Sequence, residues 1–351
     1  MERIFSGAAG RLHISEPEMY VNNEARKRSG HMSHAMVEYA PGKILDFNSN
    51  CSGARFGGHS AFGFIEYRRS EDGGRTWSAA RILPYSMDIL LEGIYTVSVE
   101  KAVVCGGVIT LFLLRNTQQE PVCCEPWDTP QYIQSRDFGM TWTEPEEFSP
   151  WKGRIYDAVV RDGAIYVLEF CNEYFVGEKP EDVYRLFRSD DNGKTFAEVS
   201  AVGLDAKGLA YGALQFRPDG SLLAYACHIG DGYRLPACLS RDCGKTWEPL
   251  PVRRLDKGIR NIQVSRLGNG YVMHGRAYLG AEYGKGLVVY TSADGIEWDE
   301  GILLEPEKLS CYYSNNLLLK DDAGRERLLV QYSDAYWRAC VNVMHMWLTL
   351  E

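Results

Sequence analysis

Short runs of β-forming residues, each closed by a turn signal, recur along the whole chain. Residues 156–161 read Tyr-Asp-Ala-Val-Val-Arg, then Asp162-Gly163, then Ala-Ile-Tyr-Val-Leu-Glu to 169. The run from Leu214 to Tyr225 repeats the pattern around Asp219-Gly220. Asp-Gly between β-formers marks a tight hairpin, because such turns need the positive φ that Gly adopts freely. Pro41-Gly42 and Gly268-Asn269-Gly270 stand at equivalent places. The pattern predicts six hairpins, over residues 31–48, 94–115, 155–170, 211–227, 260–276 and 312–332.

A second repeat follows the hairpins. Residues 70–77 read Ser-Glu-Asp-Gly-Gly-Arg-Thr-Trp, 135–142 Ser-Arg-Asp-Phe-Gly-Met-Thr-Trp, 189–196 Ser-Asp-Asp-Asn-Gly-Lys-Thr-Phe, and 240–247 Ser-Arg-Asp-Cys-Gly-Lys-Thr-Trp. A fifth copy, 292–298, is one residue short. The aspartates at 72, 137, 191, 242 and 294 stand 51–65 residues apart, a spacing that signifies repeated structural units. Ser and Asp bond turn backbone, Gly supplies the turn, and the aromatic residue tucks beneath it between sheets. These aspartates therefore read as fold staples, not catalysts. Each unit becomes two hairpins, or four strands. Six units of about 58 residues use all 351, so the chain is expected to be one all-β domain, 1–351, a six-bladed β-propeller. The segment around Ile4 or Leu12–Ile14 is expected to supply the missing strand of the sixth unit.

Composition narrows the function. The formal charge is −9 and charged residues make up 24%, which excludes nucleic-acid binding through a basic surface. The longest apolar stretch, Val103 to Leu114, is too short to span a membrane. The first residues carry no basic segment leading into an apolar run, so a cytoplasmic location is expected. The ten cysteines show no metal-ligand spacing and read as reduced thiols; no metal or other cofactor is expected.

In a propeller the first strand of each unit starts at the funnel mouth and the second returns there. Side chains at those ends converge on the axis. They include His34, Tyr156, Asp157, Tyr211, Arg260, Tyr312 and Tyr313 at first-strand starts, and Arg115, His228 and Arg276 at second-strand ends. The first long loop adds Arg55 and His59. Such a set suits a polar, acidic sugar: guanidinium groups hold carboxylates and aromatic faces stack on rings.

The four full motifs are Asp boxes, and their number, spacing and register resemble those of the sialidase (neuraminidase) superfamily of six-bladed propellers. That resemblance covers essentially the whole chain. It implies three arginines on the substrate carboxylate, a Tyr–Glu nucleophile pair and an Asp acid/base. The stretch Tyr312-Tyr-Ser-Asn-Asn-Leu317 is similar to the nucleophile segment and places Tyr313 on the nucleophile, with Tyr312 as the alternative register. The hairpin Tyr211–Leu223 is similar to the one bearing the Glu, but Tyr211 occupies the Glu position and Cys227 or His228 the Arg position. Met32-Ser33-His34 stands where an Arg-Ile-Pro-like triplet belongs, and Phe47-Asn-Ser-Asn50 ends a strand that should close on Glu and Arg. No Asp lies between Cys51 and His59. Arg260 and Arg276 remain as triad members.

Three functions compete. The first is a sialidase-like exo-glycosidase on an acidic or polar terminal sugar, sialic acid among them. In it Tyr313 is nucleophile or proton relay, Asp157, His34 or His228 is acid/base, Arg260 and Arg276 hold the anion, and Tyr211, Arg55, His59, Arg115 and Tyr312 contact substrate. The second is a lyase on uronic acids, using Tyr and His as bases beside an Arg-neutralised carboxylate. The third is a non-catalytic glycan-binding propeller.

Overall fold

A computed structural model of the chain describes residues 3–52, 62–118, 125–279, 282–304, 313–335 and 339–351. Six antiparallel sheets stand around one axis. Blade one contains His34–Ala40, Lys43–Cys51, Gly63–Ser70 and Arg81–Ile82. Blade two contains Tyr95–Cys105, Val108–Thr117, Gln131–Ser135 and Glu146–Glu147. Blade three contains Gly153–Arg161, Ala164–Cys171, Val183–Ser189 and Ala197–Ala201. Blade four contains Leu209–Phe216, Leu222–His228, Ala237–Ser240 and Glu248–Pro249. Blade five contains Gly258–Leu267, Gly270–Leu279, Glu282–Ser292 and Ile302–Leu304. Blade six contains Ser314–Lys320, Glu326–Ser333 and Val343–Leu350. Each innermost strand packs on the next, and the sixth on the first, so the ring is closed.

The chain start completes blade six, as its pattern predicts. Leu12 pairs with Leu350 and Ile14 with Leu348, and Arg3–Gly7 adds a further strand outside Gly10–Ile14. Leu12 and Ile14 are buried with Val289, Val330 and Leu348. Joining the two chain ends in one sheet hides an edge that would otherwise invite pairing.

The repeated turns carry one hydrogen-bond pattern. In the first, Ser70 Oγ accepts from the Gly74 N–H (2.9 Å), while Asp72 accepts from the Thr76 N–H (2.9 Å) and hydroxyl (2.6 Å). The Thr hydroxyl donates to Asp at 2.5, 2.6 and 2.7 Å in the next three copies. These bonds favour the carboxylate and hold Asp72, Asp137, Asp191 and Asp242 at about 2. The glycines at 74, 139, 193 and 244 have φ of 79–86°. A methyl at Gly244 would come within 2.0 Å of Leu186 Cδ2, in the preceding blade. The aromatic residue reaches back the same way: Trp142 stacks edge-on against Phe47 of blade one, Phe196 against Phe112 of blade two, and Trp298 against Tyr225 of blade four. Each turn thus closes its own blade and fastens it to its neighbour.

Two elements depart from the repeat. A helix, Pro84–Glu92, joins blades one and two, opened by Pro at its first turn and closed by Gly93 at φ 77°. Residues 233–239, ahead of the fourth repeated turn, do not form a single strand. Pro236 has no N–H for the ladder and divides them into Arg234–Leu235, which pairs with Arg253–Arg254, and Ala237–Ser240.

Candidate functional site

The mouth lies at the end opposite the repeated turns, where the innermost strands begin. Four consecutive innermost strands carry a bulge there: between Val99 and Lys101, Ile155 and Asp157, Ala210 and Ala213, and Arg260 and Gln263. A bulge adds a residue and re-aims the side chains beside it. Here the bulges place Glu100, Tyr156, Tyr211 and Asn261 on the wall of one axial cavity. Tyr211 (φ 58°) and Asn261 (φ 53°) are held in the left-handed region. For a ring-bearing residue that conformation costs about 1–3 kcal/mol and persists only where packing enforces it.

Every blade contributes to this cavity. Ser33 and His34 come from blade one, Glu100 and Lys101 from two, Arg154 and Tyr156 from three, Tyr211 from four, Asn261 and Gln263 from five, and Tyr313, Ser314 and Asn315 from six. The space they leave is narrow, about 20 Å³, enough for a water molecule or the tip of a ligand.

Two ion pairs organise it. Arg154 Nη2 donates to both oxygens of Glu100 (2.8 and 3.1 Å), and both side chains are buried. The guanidinium lies over the rings of Trp127 (5.1 Å) and Tyr156 (5.4 Å). Burial opposes the charge on Arg154, but Glu100 and Tyr313 more than offset this and hold it well above its ordinary value. Burial raises the Glu100 carboxyl despite Arg154. In the second pair, Lys101 Nζ meets Asp157 Oδ1 (3.2 Å) and donates to Gln263 Oε1 (2.5 Å) and Asn315 Oδ1 (3.5 Å). One ammonium group thereby ties blade two to blades three, five and six. Asp157 also accepts from the backbone N–H of Leu214 (2.7 Å) and Ala158 (2.9 Å).

Two histidines stand beside the cavity, both driven to about 3 by burial and therefore neutral. His34 Nε2 meets Ser333 Oγ at 2.8 Å. His274 Nδ1 meets Ser314 Oγ at 3.1 Å, and its Nε2 accepts from Asn316 Nδ2 at 2.8 Å.

The residues expected from sequence fall into three groups. Tyr313, His34 and Tyr211 line the cavity. Around it, Asp157 is reached through Lys101, Arg276 Nη2 lies 3.5 Å from Tyr211 Oη, and Arg260 bonds the Ile229 carbonyl (2.5 Å) beneath the Tyr278 ring. The Tyr211 and Tyr313 rings are 6.4 Å apart, edge to face. Two residues lie elsewhere. His228 lines a separate groove of about 580 Å³ with Arg234, Cys238 and Leu250, its Nδ1 accepting from the Asp231 N–H (2.9 Å). Arg115 pairs with Asp128 (2.6 Å) against the Tyr95 ring in blade two. Arg55, His59 and Tyr312 lie outside the described residues. Sequence reading missed Glu100, Lys101 and Arg154. The available signal was a charge pair inside the apolar run 97–104, where a buried innermost strand should carry none.

No group of three or more His, Cys, Asp or Glu residues able to hold a metal occurs among the described residues. No described helix is long and apolar enough to cross a membrane. Seven described cysteines are free thiols, five of them buried.

No protein-family model and no curated protein matches the chain. Solved structures do. A protein of unknown function from Dyadobacter fermentans matches with a TM-score of 0.72 at 15% identity, over 97% of this chain and 99% of that one. The Hadza microbial sialidase Hz136 matches at 0.68 and 16%, over 94% of this chain and 68% of that one. The intramolecular trans-sialidase of Ruminococcus gnavus, in complex with oseltamivir carboxylate, matches at 0.64 and 12%, over 93% and 96%. With six blades, a closed ring and these neighbours, the chain has a sialidase-like propeller fold.

Proposed function

We propose that the protein is a glycoside-cleaving enzyme that acts on an acidic or otherwise polar terminal sugar at the axial mouth. The observation that carries this reading is Tyr313 facing a buried Arg154–Glu100 pair in a cavity built by all six blades. A free tyrosine is almost wholly protonated at neutral pH. Tyr313 serves as nucleophile on the anomeric carbon, with Glu100 taking the phenol proton as the new bond forms. A neutral tyrosine also avoids pressing a carboxylate against the substrate's own. Glu100 rests as the carboxylate partner of Arg154; the leaving oxygen takes a proton from water as its bond breaks, and Glu100 returns the phenol proton to Tyr313 when water hydrolyses the Tyr313–sugar bond. Arg276, beside Tyr211, and Arg260, opposite Arg276 in the blade-five hairpin, hold the substrate's acidic group. Structures of this fold include Trypanosoma rangeli sialidase in complex with sialic acid, which makes sialosides the first substrates to try.

A second reading has its own support. Tyr156, Tyr211 and Tyr313 beside a neutral His34 form a set able to abstract a proton next to an Arg-neutralised carboxylate, the step of a uronate lyase. One experiment separates the readings. Chromogenic sialosides, other acidic and neutral glycosides, and uronate oligosaccharides are offered to the enzyme, and both released sugar and new ultraviolet absorbance are followed. Release without absorbance supports hydrolysis. Absorbance of an unsaturated uronate supports elimination. Full activity of Tyr313→Phe on any substrate found overturns both.

A further inference from the structure

His34 is a buried histidine whose hydrogen-bond chain fixes its tautomer. Ser333 Oγ donates its only proton to the Gly30 carbonyl (2.8 Å). It can therefore only accept from His34, so the proton of the neutral imidazole sits on Nε2. Nδ1 is left with a bare lone pair. That atom has no partner among the described residues, although His34 is 2% exposed and lines the axial cavity. Leaving a buried acceptor unpaired is costly unless a donor arrives there.

The neighbouring wall supplies the complement. Asn316 donates to His274 Nε2, so His274 donates from Nδ1 to Ser314 Oγ and leaves the Ser314 hydroxyl proton for another acceptor. Asn315, between Tyr313–Ser314 and the His34 strand, bonds the His34 carbonyl (2.5 Å) and holds the two walls together. The charged and titratable groups facing this space are Glu100 and Lys101 from blade two, Arg154 and Tyr156 from three, Tyr211 from four and Tyr313 from six, with His31 and His345 beside His34 itself.

We infer that the blade one and blade six wall is a hydroxyl-reading subsite, in which His34 Nδ1 accepts from a ligand hydroxyl and Ser314 donates to a ligand oxygen. This deepens the glycosidase reading and rests on it for the identity of the ligand as a sugar. It assigns His34 Nδ1 to acceptance of a hydrogen bond, not donation. A carboxylate is unsuited to this wall, because its oxygens would meet a lone pair; the acidic end of a sugar then faces the guanidinium groups of blade five.

The test needs no substrate. Histidine-selective 15N labelling resolves the ring nitrogens, and His34→Asn identifies the His34 signals by their loss. The expected spectrum at neutral pH is that of the Nε2–H tautomer, with Nδ1 unprotonated. Ser333→Ala is expected to produce a mixture of tautomers. Methanol, a small organic hydroxyl donor, is expected to shift the Nδ1 signal saturably, while formate at the same concentration leaves it unmoved. A protonated Nδ1, an unchanged tautomer in Ser333→Ala, a response to formate, or no response to methanol would each overturn the subsite. A positive methanol response together with a negative glycoside screen would retire the glycosidase reading and leave the subsite standing.

Discussion

The two ends of this propeller are built from the same repeats and have opposite characters. At one end, four full turns use the same residues at the same positions, with Thr–Asp bonds of 2.5–2.7 Å in every copy. At the other, no two blades present the same set of side chains to the cavity. Where each blade faces the same task, closing a sheet and gripping its neighbour, the same residues recur. Where six blades share one cavity, each side chain has a different neighbour and a different task. Repetition in such a chain therefore marks scaffold, and its breakdown marks the candidate site.

The largest effect that would break this contrast is at the mouth. Tyr313→Phe is expected to lower turnover on the order of 10²–10⁴-fold, with the thermal midpoint nearly unchanged. A matching loss of stability would make Tyr313 a packing residue.

Lys101→Met should show the mouth carrying structure as well. It leaves Asp157 buried without its cation, and a loss of about 3–5 kcal/mol is expected in urea unfolding. Adding Asp157→Asn should recover part of that loss. If the double variant is no better than the single one, the ion pair is not the origin of the effect.

The next effect depends on pH. Glu169, in the core between blades two and three, accepts from Ser149 Oγ (3.0 Å), and burial raises its carboxyl to about 8. The folded protein keeps a proton that the unfolded chain releases above about 4.5. Its contribution to stability is therefore present below 4.5 and falls as pH rises to 8. Glu169→Gln should flatten that slope and be more stable than the parent above pH 8, by about 2–4 kcal/mol. Parallel curves for parent and variant between pH 5 and 9 would contradict the shift.

The smallest effect belongs to one repeated turn. The Asp191 carboxyl is held at about 2, so its contribution is present above the ordinary carboxylate value and disappears as pH falls towards 2. Asp191→Asn is expected to lower the thermal midpoint slightly at pH 6, to match the parent near pH 2, and to leave turnover intact at neutral pH. Lost turnover would mean that the two ends are coupled.

Much of the fold was legible because its determinants are local. Asp162-Gly163 and Asp219-Gly220 form the hairpin turns the sequence predicts, and the Ser–Asp–Gly–Thr–aromatic spacing contains its own hydrogen bonds. Even the closure by the chain start, around Ile4 or Leu12–Ile14, followed from counting strands, since a ring with one short blade leaves an edge unpaired; the structure pairs Leu12–Ile14. The helix Pro84–Glu92 was not read, because it lies in a connection that the repeat does not constrain, and the division at Pro236 was not read, because it interrupts a run of β-formers that otherwise leads straight into the fourth turn.

The chain alone thus determined six units, their hairpins, the turns that lock them and the end at which the innermost strands open. It also placed Tyr313, Tyr211 and His34 at that end. Only the tertiary structure decided that Glu100 and Arg154 meet across a blade boundary, that Lys101 bridges four blades, and that His228 faces another groove. The reason is the bulge. One extra residue in an innermost strand changes which side chains face the axis, and nothing in a period of two announces where that residue is inserted.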